Sequence, residues 1–389
     1  MAIQGIQDIR GWCDPKFERI RDAFALNFER GVEPGGAAVS VTVHGRPVVD
    51  LHAGFIDRGR TRPWQKDTLI NLASTSKAIL AICVLRLVDR GALELDAPVA
   101  RYWPEFARAG KESLTVRDVL SHRAGLPAVR AKLSPEALYD WTAMTAALAA
   151  EEPWWPPGTQ HGYHAMTIGW LAGELVRRVS GRTVGRYLRE ELALPFDLDL
   201  HIGLGPHEEA RTADVRATRP EPGRTTFVET VMSEPDSMSG WAFLNPVLCL
   251  TPQVLNSHAW RTTELPFANA HGTASSLAHL YGALAHPTGK HGNVLSPSIV
   301  DAARTEHAFG YDPVLREVTR YGIGFMLPHE GLACSPNPRA FGHPGAGGYL
   351  AFADPEASLG FAYVTSKMSA HTLLDPRAAR LSEATYACL

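Results

Sequence analysis

Strand-like runs sit at both ends of this chain and helical patterns fill its middle, a distribution that narrows the folds open to it. Residues 37–54, AAVSVTVHGRPVVDLHAG, read as two β-rich runs split by a His-Gly-Arg-Pro turn signal. Towards the other end, YLAFA (residues 349–353) and LGFAYVT (residues 359–365) flank Asp354-Pro355-Glu356, the pattern of a strand, a turn and a strand. Between these ends the periodicity predicts helices over Ala78–Asp89 closed by Gly91, over Ser134–Ala150, and over Thr167–Val179 closed by Gly181. Ends that supply strands and a middle that supplies helices predict an α+β fold, with a sheet layer formed by both termini and a helical region inserted. Pro206 to Arg224, and an irregular region on to about Pro266, read as long loops.

Composition excludes several classes. At 45% hydrophobic and 20% charged, 389 residues can bury a large core, enough for two domains or one large one. A net charge of -3 offers no global field to a polyanion, so neither nucleic acid nor a membrane surface is expected as a partner. Cys13, Cys83, Cys249, Cys334 and Cys388 are odd in number and widely spaced with no CxxC pair, which predicts neither a disulfide framework nor a zinc knuckle and fits a reducing compartment. The first twenty residues lack a basic region followed by an apolar one, and the strongest apolar run, Ala78 to Leu85, is too short to span a bilayer; the expectation is a cytoplasmic protein.

Three segments could carry chemistry. In Ser74-Thr75-Ser76-Lys77 the lysine follows the serine by one helical turn on the same face, where its amine can accept the hydroxyl proton. With 20 Ser and seven Lys in the chain, one such pair is expected by chance about 0.36 times, so spacing alone is weak. The context is stronger: Lys77 sits in a helix apolar nearly all round, and burial depresses a lysine's pKa, whereas an arginine stays charged. The alternative is a lysine whose head snorkels to solvent. The second segment, Trp155-Pro156-Pro157-Gly158-Thr159-Gln160-His161-Gly162-Tyr163-His164-Ala165, delivers Tyr163 from a rigid loop just before a helix, where a phenol near an ammonium could act as a base; a packed tyrosine is the plainer reading. His161 and His164 within it could pair on a metal, but no HExxH or third ligand stands nearby and no metal site is expected. The third, Phe341-Gly342-His343-Pro344-Gly345-Ala346-Gly347-Gly348-Tyr349, runs into the YLAFA strand; its glycines permit close backbone approach to a ligand, and an N–H there could join that of Ser74 in binding an oxyanion.

In this order and spacing the three segments resemble the Ser-x-x-Lys, Tyr-x-Asn and Lys-Thr-Gly elements of the serine β-lactamase and penicillin-binding-protein superfamily, class C-like, and above all the family VIII β-lactamase-like carboxylesterases. The stretch from Leu114 to Pro127, with Ser121-His122-Arg123-Ala124-Gly125-Leu126-Pro127, resembles another word of that family, and the likeness spans roughly residues 30 to 370. It implies an antiparallel sheet flanked by helices, built from residues 1–70 and 266–389, a mainly helical domain over 71–265, and an active site in the cleft between. It also implies Ser74 as nucleophile, Lys77 as its activator, Tyr163 as partner base and acid, the Ser74 and Ala346 N–H groups as oxyanion hole, and no metal or organic cofactor.

The departures shape the expected substrate. Ala165 stands where lactam-acting relatives carry Asn, and His343-Pro344-Gly345 where they carry Lys-Thr-Gly. Ala165 cannot donate to an amide side chain, and His343 supplies charge only if protonated. An uncharged ester with a small or medium acyl group is therefore the expected small-molecule partner, with His343, Gly345, Trp155 and Ala165 lining its site; His343 could instead hydrogen-bond Tyr163 or the leaving alcohol. An acyltransferase, a weak β-lactamase and a silent binding protein are the alternatives on the same residues, and monomer or homo-oligomer stays open. His122 with Asp118 suggests a Ser-His-Asp triad, but without a GxSxG elbow a structural role is expected. Trp154, Trp170 and Trp260 are expected in the core.

Overall fold

The computed structural model describes residues 8–217, 226–248, 250–286 and 293–389; Cys249 and part of the Pro206–Arg224 stretch lie outside them. The strands in chain order are β1 (Arg10–Cys13), β2 (Gly36–Val43), β3 (Arg46–Gly54), β4 (Ile70–Asn71), β5 (Leu200–Ile202), β6 (Ala270–Gly272), β7 (Ala308–Asp312), β8 (Glu317–Tyr321), β9 (Phe341–Gly345), β10 (Tyr349–Asp354) and β11 (Leu359–Thr365). The main sheet is antiparallel in the order β1-β3-β2-β11-β10-β9, so the two chain ends meet at the β2–β11 pairing, with Val39 opposite Tyr363. Both hairpins expected from the sequence are present. His44 (φ 50°) and Gly45 (φ 70°) make the β2–β3 turn left-handed at both central positions, which matches the twist of the flanking strands.

Side-chain size along these strands decides what packs on each face. Ala38, Ala351, Ala353 and Ala362 face the helical layer, whereas Val39, Val41, Phe352, Phe361 and Tyr363 point the other way. The small side lets α5 (Ala274–Ala285) lie almost on the backbone: a Cβ on Gly360 would come within 2.2 Å of the Gly282 nitrogen. On the large side, Ile20 and Phe24 of α1 (Glu18–Glu29) and Leu381 of α6 (Pro376–Tyr386) complete a second core.

The helices behind α5 are built around α2 (Thr75–Asp89), in which Lys77 and the run from Ala78 to Leu85 are all buried, and which packs on α4 (Ile168–Ser180). α4 ends where Gly181 turns left-handed (φ 68°), as the sequence predicts. Ser134–Ala150 is not one helix: a short 3-10 turn over Pro135–Tyr139 stops at Asp140 (ψ 101°), whose carboxylate accepts the Ala143 N–H and starts α3 (Trp141–Ala150). Nor is the region before Pro266 wholly irregular, since short helices occupy Phe227–Ser233, Met238–Leu244, Pro252–Leu255 and His258–Thr262. Hydroxyl caps on Thr226, Ser237 and Ser257 start three of them. Among the described residues no helix is long and apolar enough to cross a membrane.

Candidate active site

Ser74 opens α2, reached through β4. Asn71 Oδ1 accepts the Ala73 N–H at 3.0 Å, and Ala73 takes a left-handed conformation (φ 46°) that a non-glycine residue adopts at some cost. Ser74 is partly exposed, and its hydroxyl makes no helix-capping bond, so it is not spent on the helix terminus as an N-cap serine usually is. The turn is held from beneath by Ser76 Oγ, which donates to Ala73 O (2.5 Å) and accepts from Ala270 N–H of β6 (2.9 Å).

Lys77 reaches Ser74 one turn later. Its Nζ donates to Ser74 Oγ at 3.2 Å and to Phe267 O at 2.8 Å, and lies 4.8 Å from the centre of the Tyr163 ring. The residue is 4% exposed and forms no ion pair with a carboxylate among the described residues, so burial alone drives its pKa well below the ordinary lysine value. The snorkelling alternative is thereby corrected: the amine is held inward. Phe267 O is presented by a loop that buried Asn269 ties down, donating to Trp260 O and Thr263 O and accepting from Leu265 N–H.

Tyr163, also 4% exposed, is fixed through its main chain: its N–H donates to Asp312 Oδ1 at 3.1 Å. That wholly buried carboxylate also accepts from the N–H groups of Val314 (2.9 Å) and Leu315 (3.1 Å) and from Thr319 Oγ1 (3.3 Å), so the β7–β8 hairpin anchors the tyrosine loop. Burial raises the Tyr163 phenol well above its ordinary value, with hydrogen bonding to Ser74 acting the other way. Burial therefore acts on the pair opposite to a phenolate beside an ammonium, favouring the uncharged amine and the protonated phenol. Asp312→Ala should lower unfolding stability by about 3 kcal/mol, because it leaves several buried donors unpaired. It should also reduce kcat by loosening Tyr163; urea melts beside steady-state kinetics would detect both.

The third segment forms β9 and the turn after it. Thr75 Oγ1 donates to His343 O at 3.1 Å, clamping β9 beside the start of α2, and Gly345 lies so near that a Cβ there would sit 2.9 Å from Leu72 O. Ala346, partly exposed, begins the turn continued by Gly347 (φ 109°) and Gly348 (φ 101°). His343 is 2% exposed; its Nδ1 is 2.6 Å from Pro344 O and its buried Nε2 has no partner among the described residues. Burial, helped by Lys77, takes its pKa down to about 3, so it is neutral and cannot supply a cation. The hydrogen bond to Tyr163 considered from the sequence is absent, with the rings 6.0 Å apart. Ala165 is buried and donates its N–H to Tyr163 O, and Trp155 packs its ring on Gly162 and His164, its indole N–H without a partner among the described residues.

The histidines have other tasks. His164 Nε2 accepts the Leu126 N–H and its Nδ1 bonds Gly162 O, while His161 Nε2 bonds Thr319 Oγ1. With both nitrogens of His164 engaged by backbone, the pair is a brace for the Tyr163 loop. His122 Nδ1 accepts the His164 N–H, and Asp118 forms a capping box with Thr115, so these two residues are engaged in holding the backbone rather than in a relay to Ser74. Trp170 and Trp260 are buried, and Trp154 donates to Ala128 O. Sequence reading missed Phe267 and Asp312; the only local sign of Asp312 is an Asp-Pro dipeptide, and a backbone carbonyl such as that of Phe267 carries no side-chain signal.

The family model described as Beta-lactamase matches residues 24–385. The chain belongs to the beta-lactamase family. Esterase/beta-lactamase LipL of Mycobacterium tuberculosis is 34% identical over 362 residues, covering 92% of this chain and 83% of that protein. Among solved structures, a family VIII carboxylesterase superposes with a TM-score of 0.90 at 40% identity, covering 98% of this chain and 100% of that one. A penicillin-binding-protein homologue from Caulobacter crescentus gives a TM-score of 0.88 at 42% identity over 98% and 100% of the two chains. The β-lactamase-like fold and an esterase/β-lactamase-like serine hydrolase follow from these likenesses.

Proposed function

We propose that this chain hydrolyses uncharged carboxylic esters through an acyl-enzyme on Ser74. The observation that carries the reading is the buried Lys77 amine, 3.2 Å from Ser74 Oγ and without a carboxylate partner among the described residues. A neutral amine at that distance accepts the Ser74 proton as the oxygen attacks the ester carbonyl. The oxyanion is bound by the N–H groups of Ser74 and Ala346. Tyr163, kept protonated by burial, donates to the leaving alkoxide and is reprotonated from Lys77. Water then attacks the acyl-enzyme with the same pair as base.

Substrate choice follows from what the site lacks. A neutral His343 offers no cation to a substrate carboxylate, and Ala165 offers no donor to an acylamino side chain. Short to medium acyl esters fit this polarity. Lactam opening is the second reading, favoured by the double name of LipL and by the shared Ser-x-x-Lys start.

A panel of p-nitrophenyl acyl esters, a chromogenic cephalosporin and an amide control tests the reading. Neutral esters should exceed the cephalosporin in kcat/KM by at least about 100-fold, a loss in keeping with two missing polar partners. Equal turnover of the cephalosporin would contradict the ester assignment. The wild-type profile should fall on acidification as Lys77 takes up a proton, with the midpoint well below the ordinary lysine pKa.

A further inference from the structure

The turn that begins with Ala346 rests on a charged group from the far end of the chain. Arg377, at the start of α6 and 4% exposed, donates through Nη2 to Gly347 O at 2.9 Å and to Lys367 O at 3.1 Å. The rest of its guanidinium is taken by two buried carboxylates: Nη1 meets Glu33 Oε2 at 2.7 Å, and Nε meets Asp375 Oδ1 at 2.9 Å. Glu33 is itself fixed by Tyr363 Oη (2.7 Å) and Thr365 Oγ1 (2.6 Å) of β11. Packing against the turn is close, since a Cβ on Gly348 would lie 2.5 Å from Arg377 Nη2.

We propose that Arg377 is a positioning residue for the oxyanion hole: by holding Gly347 O it fixes the plane of the turn and the direction of the Ala346 N–H. This inference rests on the acyl-enzyme reading above. Several observations favour it over a mere staple between chain ends. The cap of α6 is supplied by Asp375, which accepts the Arg377 N–H, and needs no contact with the turn. The other end of the same segment is clamped by Thr75 Oγ1 on His343 O, and Gly348 N–H closes the turn on Gly345 O at 3.1 Å. Among the described residues, the hydrogen bond that ties this clamped turn to the buried charges is the one to the Gly347 carbonyl. A planar five-donor fork is required here, because one ammonium cannot serve Glu33, Asp375 and two carbonyls together.

The test compares Arg377→Lys with Asn337→Ala, which removes a buried donor to Asp354 of β10; among the described residues Asn337 has hydrogen bonds to Ser335, Arg339, Ala340 and Asp354 but none to the turn. Arg377→Lys should lower kcat for a neutral ester by about tenfold to a hundredfold, with KM within about threefold, as expected for a donor misaimed only at the transition state. The affinity for a boronic acid transition-state analogue should fall by the same factor. Asn337→Ala should lower Tm while leaving kcat unchanged. If Arg377→Lys does not fold, Gly348→Ala disturbs the same contact from the turn side and should reproduce the kcat loss. Unchanged kcat in a folded Arg377→Lys or Gly348→Ala overturns the proposal, as does an equal kcat loss in Asn337→Ala. Ser74→Ala separates the two layers: if it is inactive while Arg377→Lys keeps kcat, the positioning role alone falls, and if it still turns over ester, both fall.

Discussion

Ser74→Ala should lose ester turnover by about 10⁵-fold or more in kcat, the scale seen when a nucleophile acting with its base is deleted. The loss should come without a loss of fold. Ser74 is partly exposed, its hydroxyl makes no helix-capping bond, and the α2 start is held instead by Asn71 Oδ1 and Ser76 Oγ. Tm should therefore move by no more than a degree or two, a surface-sized change. A fluorophosphonate that labels the wild-type chain once should fail to label the variant. Full activity in the variant, or labelling elsewhere, would remove the nucleophile from the account.

Lys77→Arg should cost about 10³- to 10⁴-fold in kcat although the formal charge is conserved, because a guanidinium cannot give up its proton to act as a base. The structure adds a second penalty. Arginine would bring a permanent charge into a site with no carboxylate partner among the described residues, so the variant should also be less stable. Lys77 has a folded pKa below its unfolded value, so between the two the unfolded chain holds a proton that the folded chain does not. This group's contribution to stability therefore improves as pH rises towards the unfolded pKa near 10.4 and worsens as pH falls to the folded value. Lys77→Met should abolish that slope along with the activity, measurable by urea melts across the alkaline range.

Legibility from sequence followed how local each interaction is. Lys77 could be read as buried because the run after it, Ala78 to Leu85, leaves the helix no polar face, and the hairpins could be read from residues that touch their own turns. The break at Asp140 was missed because local apolar periodicity continues across it, while the capping bond to Ala143 N–H won the backbone. Phe267 O, Asp312 and Arg377 could not be found this way. Their partners stand 190, 149 and 30 residues away, at Lys77, Tyr163 and Gly347, and nothing in the intervening chain encodes the approach. The protonation states also needed three dimensions. A phenol beside a lysine suggests a phenolate, whereas the dry surroundings of both groups favour the protonated phenol and push the amine towards its uncharged form.

If Ser74 becomes covalently acylated with Lys77 as its base, an ester analogue that stops at the covalent step should trap it. A p-nitrophenyl phosphonate, which resembles the ester but stops after the first step, tests this directly by intact-mass measurement and peptide mapping. One phosphonyl adduct per chain is expected, located on Ser74, with release of one equivalent of nitrophenolate at a rate that falls on acidification. An adduct on any other side chain, or continued ester turnover by the fully modified chain, would contradict it.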